Sequence, residues 1–128
     1  EAGDEIRCVI CEAQFDDPFV QIELMMPILP IVRVPDIDTA IDLAVKAEHG
    51  LRHTAHMHSK NIDHLTKFAR AIETTIFVKN APSYAGIGVG GEGHCTFTIA
   101  GPTWEGLTSA KSFCRRRRCA MVDSFRIV

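Results

Sequence analysis

Between residues 28 and 79 the apolar residues change spacing from segment to segment, and this alternation restricts the fold more than any other feature. Residues 28–34 (ILPIVRV) are a nearly continuous apolar run, as in a strand covered on both faces within a parallel sheet. Pro35 ends the run, and Asp36 offers a carboxylate that can accept a backbone N–H from the first turn of a helix. Ile37, Ala40, Ile41, Ala44 and Val45 then recur at helical spacing as one stripe. This helix is expected to stop near His49 and Gly50, where Gly50 suits a left-handed C-terminal cap. Residues 53–58 partly alternate and are predicted as a strand. Ser59 or Asn61 caps a second helix with the stripe Ile62, Leu65, Phe68, Ala69 and Ile72. Residues 74–79 (TTIFVK) are a further β-branched strand. The predicted order is β-α-β-α-β, an α/β parallel-sheet segment with covering helices. The right-handed crossover rule puts its consecutive strands side by side, or nearly so.

The flanks differ in character. Residues 6–12 read as a strand and residues 15–18 as a turn. Residues 80–93 form a long loop holding Gly86, Gly88, Gly90, Gly91 and Gly93. Residues 96–100 are expected to be extended, 101–108 turn-rich, 109–116 a short helix and 119–128 an apolar terminal strand. The chain therefore divides into an α/β part, 1–79, and a glycine-rich loop with a C-terminal β arm, 80–128. At 128 residues, 46% hydrophobic and 23% charged, it falls within the range of ordinary globular domains. The apolar stretch 24–32 is broken by Pro27 and Pro30, far short of the ~20 residues of a membrane helix, so no membrane partner is expected. A net charge of -2 argues against nucleic acid as a partner. The start at Glu1, without an initiator Met, is expected to be a cut in a longer chain.

The glycines 86–93 precede a β-prone stretch rather than a helix and lack the Lys-Ser/Thr ending of a phosphate loop, so close backbone packing is the stronger reading. His49, His53, His56 and His58 are dense, and His56 and His58 would share a strand face, but no third ligand follows at a metal spacing. No metal is expected. Cys8 and Cys11 enclose the β-branched Val9 and Ile10, which favours a strand over a redox turn or zinc knuckle. The odd count of five cysteines points to reduced thiols in a cytosolic setting. Cys114 and Cys119 flank the arginine run 115–118, the electropositive setting a reactive thiol wants, yet Cys119 opens an apolar strand and is expected to be buried. On a strand, at most two of those arginines would share a surface. Glu23 borders the apolar run and either faces solvent or holds the hydroxyls of a ligand.

Several segments taken together point further. ELMMPILP (23–30), HTAHMHSKN (53–61), FVKNAPSY (77–84), the glycines 86–93, GPT (101–103), EGLTS (105–109) and RRC (117–119) occur in that order. In this combination the chain resembles the C-terminal portion of the CoA-acylating aldehyde dehydrogenases, nearest the acetaldehyde and propionaldehyde enzymes of ethanolamine and propanediol utilisation.

The resemblance implies the end of an aldehyde dehydrogenase catalytic domain followed by a C-terminal arm that builds homo-oligomers. It implies oxidation of a short-chain aldehyde to acyl-CoA through a cysteine thioester, with NAD as cofactor, coenzyme A as co-substrate and no metal. The nucleophile would lie upstream; neither Cys8 nor Cys11 sits in its motif, so the isolated chain is expected to be inactive. Glu23 matches the glutamate that binds the nicotinamide ribose hydroxyls. His53, in its Gly-x-x-His-Thr setting, matches a histidine of the acyl-transfer step, helping to activate the CoA thiol. Pro27, Gly90 and Gly91 would shape the site wall. Trp104 departs from the family pattern, which has glycine there, and bears on the local turn. The expected location is the cytoplasm or the interior of a bacterial microcompartment. The alternative is a free-standing module for oligomerisation or anionic-ligand binding, without catalysis.

Overall fold

A computed structural model describes residues 3, 5–96, 99–100, 106–120 and 122. Its elements are β1 (Val9–Glu12), α1 (Pro18–Gln21), β2 (Ile28–Ile31), α2 (Ile37–Ala47), β3 (Thr54–Met57), α3 (Ile62–Ile72), β4 (Ile76–Lys79), β5 (Ile99–Ala100) and β6 (Gly106–Leu107). Two short 3₁₀ turns, Ser83–Ile87 and Ala110–Phe113, complete them. The predicted order over residues 28–79 holds, and both helices start where their caps predict. Asp36 accepts from the Thr39 amide at 2.8 Å and from its hydroxyl at 3.0 Å. Asn61 accepts from the amides of Asp63 at 2.9 Å and His64 at 3.2 Å. Each side chain thereby satisfies donors that a helix start leaves without partners.

The two apolar stripes meet each other and the second strand pair. Ile41 of α2 and Phe68 and Ile72 of α3 are buried together, with Ala55, Met57 and Phe77 packed against them. Phe68 and Phe77 lie edge to face, centroids 5.5 Å apart. Burying such side chains contributes about 1.5–3 kcal/mol each, so this cluster is what holds the helices on the strands.

The sheet departs from expectation. β1 pairs in parallel with β2, Val9 opposite Ile28 and Glu12 opposite Ile31. β3 pairs in parallel with β4, Thr54 opposite Ile76 and Met57 opposite Lys79. Consecutive β2 and β3 are not hydrogen-bonded neighbours. The crossover rule constrains handedness, not adjacency, and here α2 stands between the two pairs. Its Ala40 and Ala44 line a hollow of about 200 Å³ shared with Phe15, Val20, Val32 and Val34, and a second of about 200 Å³ shared with His56, Met57 and Phe68. Among the described residues one face of β1–β2 lacks cover: the register partners Ile10 and Leu29 are 64% and 52% exposed.

Other expectations shift in detail. The predicted turn at 15–18 runs into α1, which starts on Pro18 behind an Asp17 cap. The loop 80–93 contains the turn Ser83–Ile87, and the helix expected over 109–116 shortens to Ala110–Phe113 with a Ser109–Ser112 capping box. Cys119 is exposed rather than buried, because residues 114–120 form no strand. Most of the predicted terminal strand, residues 121 and 123–128, lies outside the described residues, as does Trp104.

The Thr39 amide and then its hydroxyl hold the Asp36 carboxyl below the usual carboxylate range. A carboxyl depressed in the fold stabilises it above the ordinary carboxylate pKa and loses that contribution as pH falls through the depressed value. Protection of the Thr39 and Ala40 amides against hydrogen exchange should therefore hold to about pH 4 and fall below it. Asp36→Asn, which keeps the acceptor but not the charge, should flatten that acid limb. An unchanged limb in the variant would contradict the assignment.

Candidate active site

The segment bearing Glu23 is set by α1. Asp17 caps it through the Phe19 amide at 2.8 Å, and Pro18 occupies the first helical position, where its missing N–H costs nothing. At the other end the Gln21 side-chain amide donates to the Phe15 carbonyl, and the Gln21 carbonyl lies 3.1 Å from His49 Nε2. Two residues on, Glu23 is exposed, and among the described residues its carboxylate has no ion pair or hydrogen bond. Met25 follows with φ +51° and its side chain 88% exposed. An apolar, non-glycine residue in that conformation at the surface costs roughly 1–2 kcal/mol. Pro27 is also exposed, and its carbonyl accepts the Val9 amide at 2.8 Å, so it sets where β1 meets β2.

His53 sits at the entrance to β3. The preceding turn is tied from inside and outside. The Glu48 carboxylate accepts the Arg52 amide, and Arg52 Nη2 pairs with Glu73 Oε2 at 2.9 Å. The carbonyls of Arg52 and His53 accept the amides of Thr75 at 2.9 Å and Ile76 at 3.0 Å. The His53 backbone is thus part of the strand ladder, while its imidazole is exposed and available.

The glycine loop returns along β4 to the same place. A Cβ on Gly86 would sit 2.3 Å from Ile76 Cγ2, and one on Gly91 would sit 2.5 Å from the Ala85 carbonyl oxygen. Only glycine permits these approaches. Ile76 therefore touches both elements: its N–H bonds to His53 and its side chain meets Gly86. Gly90 has φ +75° with open space around it. Residues 94–96, directly after Gly93, are not helical, consistent with packing rather than phosphate binding. At the opposite end of the strands, Asn80, with φ +54°, accepts the Ser59 amide at 2.7 Å and donates to the Ser59 carbonyl at 2.8 Å.

Of the sequence-derived residues, the structure joins His53 to the base of the glycine loop through Ile76. Among the described residues no hydrogen bond or ion pair joins Glu23 to His53. Asn80, Arg52, Met25 and the His49 contact were missed, since left-handed non-glycine residues carry no clear sequence signal; the FVKN motif was the one hint at Asn80. His56 and His58 lie edge to face at 5.9 Å, and the described residues contain no group of three or more metal-ligating side chains placed to hold an ion. Arg115 and Arg116 line one cleft of about 660 Å³ with Lys111, Ser109, Ser112 and Cys114, so adjacent arginines share a surface where a strand would separate them.

Residues 7–108 match the aldehyde dehydrogenase family. The chain is 57% identical over 121 residues to a propanal dehydrogenase (CoA-propanoylating) of Salmonella typhimurium, covering 94% of this chain and 26% of the relative. A propionaldehyde dehydrogenase of Rhodopseudomonas palustris, solved with bound CoA and an acylated cysteine, superposes with TM-score 0.85 at 63% identity, covering 94% of this chain and 27% of that one. An engineered glycolyl-CoA reductase with bound NADP⁺ gives the same TM-score of 0.85, 63% identity and the same coverages of 94% and 27%. The chain thus spans about a quarter of the length of these proteins.

The Asn80 clamp is testable by itself. Asn80→Ala removes both bonds to Ser59 and the residue's tolerance for a left-handed backbone, and should cost about 1–2 kcal/mol in denaturant unfolding. Asn80→Gly should recover the backbone part only. If the alanine variant unfolds at the wild-type midpoint, the clamp does not bear on stability.

Proposed function

Because the chain belongs to the aldehyde dehydrogenase family, we propose that it forms part of a CoA-acylating enzyme that converts a short-chain aldehyde such as propanal or acetaldehyde to acyl-CoA. The observation that carries this reading is the 57% identity of almost the whole chain to a CoA-propanoylating enzyme. It favours an enzyme over a free-standing oligomerisation or anion-binding module. Residues 1–79 belong in this reading to the catalytic domain, and residues 80–128 supply a site-lining loop and an arm that joins copies of the protein.

A nicotinamide dinucleotide, NAD in this proposal, supplies the hydride acceptor for the aldehyde carbon. The open Glu23 carboxylate suits it: two oxygens without a protein partner among the described residues can accept both hydroxyls of a ribose. His53 serves the second half-reaction. One neutral imidazole nitrogen takes the proton of the CoA thiol, and the thiolate attacks the thioester carbonyl. The acyl–cysteine C–S bond breaks as the bond to CoA sulfur forms, returning the enzyme thiolate. Pro27, Gly90 and Gly91 wall the site. The likeness to ethanolamine- and propanediol-utilisation enzymes supports a location in the cytoplasm or a bacterial microcompartment. No helix among the described residues is long and apolar enough to cross a membrane.

The intact protein should form NADH continuously only when aldehyde and CoA are both present, with a single burst per active site from aldehyde alone, and this chain by itself should form none. In the intact protein Glu23→Gln should raise KM for the dinucleotide about tenfold, the scale of a lost charge-assisted hydrogen bond, with little change in KM for CoA. An unchanged dinucleotide KM would remove Glu23 from the ribose site.

A further inference from the structure

We propose that His49 is a positioning residue that fixes the Glu23 segment relative to the His53 turn. The inference rests on the roles given to those two residues above and adds the device that holds them in register.

Glu23 follows the β1–α1 unit, whereas His53 leads into the β3–β4 pair, and no strand hydrogen bond joins β1–β2 to β3–β4. Burial along α2 connects the pairs, but apolar contacts are non-directional and tolerate sliding. His49 supplies a directional link across them. Its Nε2 meets the carbonyl of Gln21, the last residue of α1, at 3.1 Å. A helix-terminal carbonyl has no donor within its own helix, so an outside donor is worth more there than at an ordinary surface carbonyl. Gln21 is anchored in turn by its side chain on the Phe15 carbonyl.

The other side of the link is equally fixed. His49, Gly50 and Arg52 have φ of +55°, +78° and +56°, so the chain reverses within four residues. The Glu48 carboxylate closes that turn on the Arg52 amide, and Arg52 is tied to Glu73 and Thr75. The path from Glu23 to His53 thus runs through Gln21, one imidazole hydrogen bond and a braced turn. A carbonyl only accepts, so the contact puts a ring proton on Nε2.

Two substitutions in the intact enzyme separate this role from general stability. His49→Asn keeps a residue at ease in the left-handed region but stops short of the Gln21 carbonyl. His49→Gln extends an amide N–H to roughly the position of Nε2. With His49→Asn, KM for the dinucleotide should rise and thiol-dependent release of the acyl group should slow, each on the order of fivefold, the effect of one hydrogen bond. The burst of NADH per active site should stay unchanged, and His49→Gln should restore both parameters to within about twofold. Merely structural damage would lower the burst and leave KM alone. The proposal is overturned if His49→Asn leaves both parameters at wild-type values, shrinks the burst instead, or is not rescued by His49→Gln. Absence of CoA-dependent turnover in the wild-type enzyme would instead refute the functional reading beneath it.

Discussion

Ile41, Phe68 and Ile72 close the space between α2, α3 and the β3–β4 pair, and the other features take their positions from that contact. With α2 and α3 seated there, the turn after α2 must deliver the chain into β3 within a few residues, and the loop after β4 can fold back along the strand. Gly86 against Ile76 and the Asn80 clamp on Ser59 depend on β4 being held in register with β3. The exposed Ile10 and Leu29 show the contrast: among the described residues, β1–β2 has strand pairing without an apolar layer over that face. Its relation to the rest relies on α2 and on His49.

In the proposed reaction the chemistry is carried by side chains the fold leaves open. The Glu23 carboxylate and the His53 imidazole are exposed, while the His53 carbonyl is held in the strand ladder and the helix turn before Glu23 is closed by the Ile22 amide on Pro18. This division suits a site whose ligands arrive from outside, since fixed backbone with unoccupied side-chain donors and acceptors limits the reorganisation needed on binding. Strain falls in the same segments. Met25, His49 and Arg52 adopt left-handed conformations within a few residues of Glu23 or His53, and such residues gather where a local geometry is needed that relaxed backbone does not provide.

Much of this was legible in the residues. The stripes from Ile37 to Val45 and from Ile62 to Ile72, and the caps Asp36 and Asn61, located both long helices because period and capping are local properties. Strand partners were not legible: β2 joins β1 and β3 joins β4, a choice made by tertiary packing around α2. The helix α1 was too short to show a period, although Asp17 and Pro18 were its start signals. Glu23 and His53 drew attention by position, but their roles followed only from the family resemblance, because an exposed acid and an exposed imidazole have no distinguishing pattern of their own. The contacts of His49 and Asn80 were not legible because their partners lie 28 and 21 residues away in sequence.

The central claim is that His53 activates the thiol in the second half-reaction, and transient kinetics on the acylated intact enzyme tests it most directly. With the enzyme pre-acylated by aldehyde and dinucleotide, release of acyl-CoA after mixing with CoA should slow on the order of a hundredfold in His53→Ala, the scale of lost general-base catalysis. The preceding NADH burst should keep its wild-type rate. Release at the wild-type rate in that variant would contradict the account.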